Sequence, residues 1–150
     1  MAKRIFIRQV LKEELEKISE LERSVFEPMN YPLFVLRQFY DLMPDLFLAA
    51  TTDTDEIVGY TLGGIDIENK QGWILSLLTN PEYQGKGIGY SLSKKLVEIF
   101  RKKEMKRVLL TVHPKNKPAL ELYYKLGFEL KELIKDYFGD ESPRYVLELK

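Results

Sequence analysis

Apolar and polar residues alternate over residues 4–9 (RIFIRQ), the period of a strand with one buried face. Leu11, Leu15, Ile18, Leu21 and Val25 then recur at helical spacing and predict an amphipathic helix of about four turns. Two prolines and an asparagine in residues 26–32 break that pattern and predict a loop. Residues 33–43 are apolar almost all round and read as a short second helix. Residues 46–51, 57–67 and 73–78 read as strands joined by short polar turns, which implies antiparallel pairing. Gly63-Gly64 predicts a bulge or bend in the second of them.

The pattern changes after residue 79. A glycine-rich loop (80–89) leads into a helix over 88–103, with Ile88, Leu92, Leu96, Ile99 and Phe100 on one face and lysines on the other. Residues 108–112 form an apolar run, as in a strand buried on both faces. Strand, helix and strand make a βαβ unit, so the two strands are expected parallel and the crossover right-handed. A helix over 117–126 follows, with Pro118 in its first turn and Gly127 as its C-cap. Two last strands, 129–134 and 145–149, are joined by a charged loop. The order β-α-α-β-β-β-α-β-α-β-β predicts an α/β (α+β) fold: a mixed, mostly antiparallel sheet with helices on both faces.

Composition narrows the chemistry. A chain of 150 residues fits one domain. It has no cysteine, which excludes a thiolate nucleophile and cysteine-ligated metal. His113 is the single histidine, so no multi-histidine metal site is expected. Lys+Arg and Asp+Glu both number 23, and zero net charge gives no general pull towards nucleic acid or an acidic membrane. No stretch approaches about 18 apolar residues, and no signal-peptide pattern opens the chain. A cytoplasmic protein is expected.

Gln84-Gly85-Lys86-Gly87-Ile88-Gly89 invites a phosphate-binding reading. A Walker loop is absent, because no GxxxxGK[ST] spacing occurs. A dinucleotide fingerprint fails because Tyr90 stands at the third glycine position. Q/R-x-x-G-x-G/A fits through Gln84, Gly87 and Gly89. Such a loop before a helix presents unpaired N–H groups and the positive end of the helix dipole, which suits a pyrophosphate. A tight turn that binds nothing is the plain alternative.

The order of elements, LTNPEYQGKGIGYSLSKKLVE and NKPALELYYKLGF together resemble the GNAT superfamily of acetyl-CoA-dependent N-acetyltransferases over nearly the whole chain. Within it the chain looks most like protein N-terminal acetyltransferases, including the archaeal and ribosomal-protein enzymes; the ending DYFGDESPRYVLELK is similar to their substrate-side tail. The resemblance implies a GNAT fold whose central parallel strand pair splays, acetyl-CoA as co-substrate and no metal.

It also implies residue roles. Leu77, Leu78 and Thr79 would run along the acetyl-pantetheine, and Gln84, Gly85, Lys86, Gly87, Ile88, Gly89 and Tyr90 would hold the pyrophosphate. Lys86 reads equally as a solvated surface lysine. Asn116 would bond the CoA arm or act as a plain N-cap. Tyr123 would protonate the leaving thiolate or merely pack. Family positions for a general base fall on Trp73 and Thr111, neither of them a competent base. Glu27 is the substitute, with a solvated loop carboxylate as its plain reading; His113 reads as a loop residue. Phe26, Glu27, Tyr31, Tyr137 and Phe138 would clamp the acceptor peptide. The expected reaction is direct transfer to the α-amino group of a protein or peptide. Lysine or polyamine acetylation and a non-catalytic CoA-binding module are the alternatives. An auxiliary subunit or a homodimer is compatible with the sequence.

Overall fold

The computed structural model describes residues 4–150. Its strands are β1 (Ile5–Gln9), β2 (Phe47–Thr52), β3 (Ile57–Asp66), β4 (Gln71–Thr79), β5 (Arg107–Val112), β6 (Glu129–Ile134) and β7 (Arg144–Leu149). Its helices are α1 (Leu15–Phe26), α2 (Leu33–Leu42), α3 (Ile88–Lys102) and α4 (Lys117–Leu126). The predicted order of elements is the observed one. Short 3-10 turns at Lys12–Glu14, Pro44–Leu46 and Pro81–Tyr83 were not anticipated.

The strands form one sheet in the order β1-β2-β3-β4-β5-β7-β6. Only β4 and β5 run parallel, as the long α3 crossover between them requires. Their pairing runs from Gln71↔Arg107 to Ile74↔Leu110 and stops there. Beyond it β4 continues to Thr79 and β5 to Val112 with no bond between them.

Apolar faces on both sides of the sheet are covered by helices, which yields two cores. One joins Leu92, Leu96 and Phe100 of α3 to Ile74, Leu110 and Phe128. The other joins Leu15 and Ile18 of α1 and Leu36 of α2 to Phe47, Tyr60 and Leu62. Gly63 and Gly72 let the Phe100 ring lie on the strands: a Cβ would sit 2.8 Å and 2.5 Å from it.

The expected bulge at Gly63-Gly64 is corrected in one respect. The register does shift between Leu62 and Gly63, but Leu62 pairs with Ser76 and Gly63 with Ile74. The extra residue is therefore Leu75, on β4. Gly63 is glycine because of Phe100. Among the described residues no helix is long and apolar enough to cross a membrane.

Candidate active site

The bulge re-aims β4 at the point where it leaves β5. Leu75 packs in the core on the α1–α2 side. Ser76, next in sequence, also turns to that side and donates its hydroxyl to Glu22 Oε1 at 2.6 Å. Two consecutive side chains on one face are the signature of a bulge.

Glu22 sits on the buried stripe of α1 and is 1% exposed. Its Oε1 also accepts the Tyr60 hydroxyl in a short bond. Its Oε2 accepts the Tyr31 backbone N–H at 3.0 Å. A buried carboxylate is tolerable because these donors replace water. The Tyr31 hydroxyl in turn donates to the Leu75 carbonyl oxygen at 3.3 Å. Glu22 thus ties α1, β3, β4 and the α1–α2 loop around one point.

A cavity of about 460 Å³ opens where the two strands part. It draws its walls from both faces of the sheet. Phe26, Met29 and Tyr31 line it from the α1–α2 loop region, and Phe138 and Arg144 from the β6–β7 connection and the start of β7. Leu75, Ser76 and Leu77 of β4 and Thr111 and Val112 of β5 line its middle. Asn116, Ala119 and Tyr123 close the α4 side.

α4 is fixed at both ends, and that sets Tyr123. The Asn116 side chain accepts the Ala119 N–H at 3.3 Å as N-cap. Gly127 ends the helix at φ +103°. Tyr123 lies edge-on to Phe128 at 5.6 Å between centroids. Burial raises the Tyr123 phenol's pKa well above that of a free tyrosine; Arg144 opposes that shift without cancelling it. The phenol is therefore protonated at neutral pH.

The glycine loop splits into two kinds of glycine. Gly85 and Gly87 both have φ +79°, and a Cβ on either would meet nothing within 4 Å. Gly87 is the N-cap of α3, and no side chain caps that helix. The first N–H groups of α3 therefore lack intrahelical acceptors, a feature that suits an anion. Gly89 differs: a Cβ there would lie 2.9 Å from a Leu122 methyl, so its role is close packing on α4. Lys86 Nζ lies 5.2 Å from the Tyr83 ring centroid.

The expected residues fall into place unequally. Phe26, Tyr31, Leu77, Asn116, Tyr123 and Phe138 line the cavity. Leu78 is buried in the α1–α2 core, and Thr79 prolongs the β4 edge outside the cavity. Tyr137 stands outside it, 4.8 Å from Phe138 between centroids. Glu27, the C-cap of α1, is exposed and does not line the cavity; the carboxylates there are Asp140, from the β6–β7 connection, and Glu22, five residues before Glu27 on the helix's buried side. Thr111 lines the cavity, with its hydroxyl and carbonyl oxygens accepting from Arg144. Trp73 does not. His113 lines the cavity, and its Nδ1 accepts the Lys115 N–H at 3.0 Å.

Glu22 and Arg144 escaped the sequence reading. Glu22 had a signal. Position 22 follows Leu15 and Ile18 by seven and four residues, the spacing of one helix face, and a carboxylate stands there beside Leu21. Arg144 had none, since one arginine in a charged loop looks like any other. Among the described residues no cluster of His, Cys, Asp and Glu could hold a metal ion.

A model described as "Acetyltransferase (GNAT) family" matches residues 13–128. Over 137 residues the chain is 32% identical to an uncharacterised N-acetyltransferase of Methanocaldococcus jannaschii, covering 91% of this chain and 85% of that protein. It is 28% identical over 155 residues to an N-alpha-acetyltransferase of Sulfurisphaera tokodaii, covering 94% and 90%. The fold resembles that of Arabidopsis thaliana Naa50, solved in complex with a bisubstrate analogue CoA-Ac-MVNAL, with a TM-score of 0.82 at 21% identity over 97% of this chain and 98% of that one. With the family match spanning most of its length and a relative above 30% identity across 91% of it, the protein belongs to the acetyltransferase (GNAT) family.

Proposed function

We propose that the protein acetylates the α-amino group of a protein or peptide N-terminus, using acetyl-CoA in a single ternary complex. The observation that carries this reading is the cavity between the parted ends of β4 and β5, lined by residues from both faces of the sheet. On one side the free edge of β4 runs on into the glycine loop, whose residues 84–90 do not themselves line the cavity; on the other stand Phe26, Tyr31 and Phe138. The N-alpha-acetyltransferase named above supports the choice of acceptor.

The residues fit acetyl-CoA. Leu77, Leu78 and Thr79 present a strand edge without a partner on the β5 side, which the amide groups of a pantetheine arm complement as an added strand. Gly85 and Gly87 leave room for a pyrophosphate at the uncapped start of α3. Acetyl-CoA supplies an acyl group activated as a thioester. A backbone N–H on the β4 edge donates to the acyl oxygen as negative charge grows there. Tyr123, protonated at neutral pH, gives its proton to the departing sulfur, and the proton shed by the attacking nitrogen passes through water to restore the phenol. With no cysteine in the chain, a thiol-borne acetyl-enzyme is excluded and attack is direct.

An α-amine has a pKa of roughly 7.7–8.0, so a useful fraction is neutral near pH 7 and no strong base is required. A lysine amine, near roughly 10.4, needs one. Glu22 does not serve, because Tyr60, Ser76 and Tyr31 already occupy its oxygens.

Mass spectrometry of acetyl transfer tests the reading. Purified protein and acetyl-CoA meet peptides with free or blocked N-termini, internal lysines, and spermidine. Modification confined to free N-termini is expected. Modification of lysine or spermidine overturns the choice of acceptor, and bound acetyl-CoA with no product overturns catalysis.

A further inference from the structure

Besides Glu22, the cavity lining holds two charged groups that the proposed transfer does not use, Asp140 and Arg144. Arg144 opens β7 at the residue before Tyr145, which pairs with Val112 at the end of β5. Its Nε donates to Thr111 Oγ1 at 3.3 Å and its Nη2 to the Thr111 carbonyl oxygen at 3.1 Å. The guanidinium carbon lies 5.3 Å from the centroid of the Phe138 ring. These contacts orient the guanidinium, and none of them brings a negative charge.

No carboxylate of the described residues forms an ion pair with Arg144, and its Nη1 has no hydrogen-bond partner among them. Asp140 favours the charged form from a distance, while its Oδ1 accepts the Ser142 N–H at 3.0 Å. Glu22, the other acid of the cavity, accepts its hydrogen bonds from Tyr60, Ser76 and Tyr31 and none from Arg144. Burial lowers the pKa of Arg144, the mark of a cation whose lost water has not been fully replaced. A half-buried planar guanidinium with a donor to spare is the complement of a carboxylate.

We infer that Arg144 sets acceptor choice by receiving a carboxylate carried by the acceptor's first residue, so that peptides beginning with Asp or Glu are preferred. This rests on the proposed N-terminal transfer. Asn and Gln have nearly the same size and shape and lack the charge, so they isolate the effect. Arg144→Lys keeps charge and loses the planar fork; Arg144→Gln loses both.

The test compares kcat/KM for peptides that differ only in an Asp or Asn first residue, with free alanine as a separate acceptor. Calorimetric binding of the same peptides to the CoA-loaded protein runs beside it. A charge-assisted bond predicts an Asp-to-Asn ratio of about 10-fold or more. In Arg144→Gln that ratio falls to about one; in Arg144→Lys an intermediate ratio survives. Thermal melts confirm that each variant is folded, and because the readout is a ratio within one protein, partial loss of activity does not disturb it. Equal kcat/KM for both peptides, with acetylation intact, overturns the inference alone. Transfer to free alanine with no preference between the peptides assigns Arg144 to an α-carboxylate and overturns the peptide form. A binding preference for Asp without any acetylation upholds the charge selectivity and overturns the transferase reading instead.

Discussion

The Ser76 hydroxyl donates to the Glu22 carboxylate at 2.6 Å, fastening the first helix to the strand that bulges at the cavity. Glu22 also takes a hydroxyl from Tyr60 and a backbone N–H from Tyr31. The shape of the cavity at this point therefore hangs on one buried carboxylate.

Glu22→Ala leaves three buried donors without an acceptor. It is expected to lower stability by about 3 kcal/mol, at roughly 1–3 kcal/mol for each unmet buried donor after partial relaxation. Glu22→Gln retains one acceptor oxygen and is expected to cost less. Urea unfolding of the three proteins checks the order. Equal stability of Glu22→Ala and the parent would mean that water replaces the carboxylate.

Gly87→Val puts a branched side chain into the open space at the start of α3. The fold is expected to survive, at a cost of about 1–3 kcal/mol for a side chain in the left-handed region. Affinity for CoA is expected to fall by about 10-fold or more, since a uniform 1.4 kcal/mol suffices for that. Calorimetry with CoA reads it. Unchanged affinity would remove the loop from the cofactor site.

Tyr123→Phe keeps the ring against Phe128 and removes only the hydroxyl. Loss of a positioned proton donor is expected to lower kcat by about 100-fold, with little change in the KM for acetyl-CoA. Because burial raises the phenol's pKa, the parent enzyme should keep its kcat between pH 7 and about 10, the pKa of a free phenol. A parent kcat that falls across that range would contradict the raised pKa, and a fully active variant would leave Tyr123 as a packing residue.

Tyr60 and Tyr123 both have pKa values raised in the folded protein, by burial above all. Below roughly pH 10 their phenols are neutral in both states, and folding is unaffected. Above it the unfolded chain ionises first, so stability falls as pH rises towards the folded values. The slope is about 1.4 kcal/mol per pH unit for each such phenol. Unfolding by urea at pH 9 and pH 11 measures it, and Tyr60→Phe should lose less stability over that interval than the parent. Identical losses would contradict the burial argument for Tyr60.

The fold was largely legible because each element carries its own period or punctuation. Leu15, Ile18, Leu21 and Val25 mark a helix, with Leu11 of the same series falling just before it; the apolar run of 108–112 marks a strand buried on both sides; Pro118 and Gly127 bracket α4. The site was legible only where chemistry is local. The glycine loop is contiguous in sequence, yet Gly85 and Gly87 face open space while Gly89 answers to Leu122, a contact no spacing reveals. Leu75 looks like any strand residue, and its bulge is defined only by the register against β3. Glu22 and Arg144 meet the cavity through tertiary packing, so their roles rest on neighbours far away in the chain.

The central claim is that one cavity, lined from both faces of the sheet, brings acetyl-CoA and a free N-terminus together. A conjugate in which an acetyl bridge joins the CoA sulfur to the α-nitrogen of a peptide tests it most directly. Its Kd is measured against those of CoA and the free peptide. Joining two ligands that occupy adjoining sites raises affinity over either alone by about 100-fold or more. The account predicts such a gain for the α-linked conjugate and its loss when the same peptide is joined through a lysine side chain. A conjugate that binds no more tightly than CoA would contradict the account.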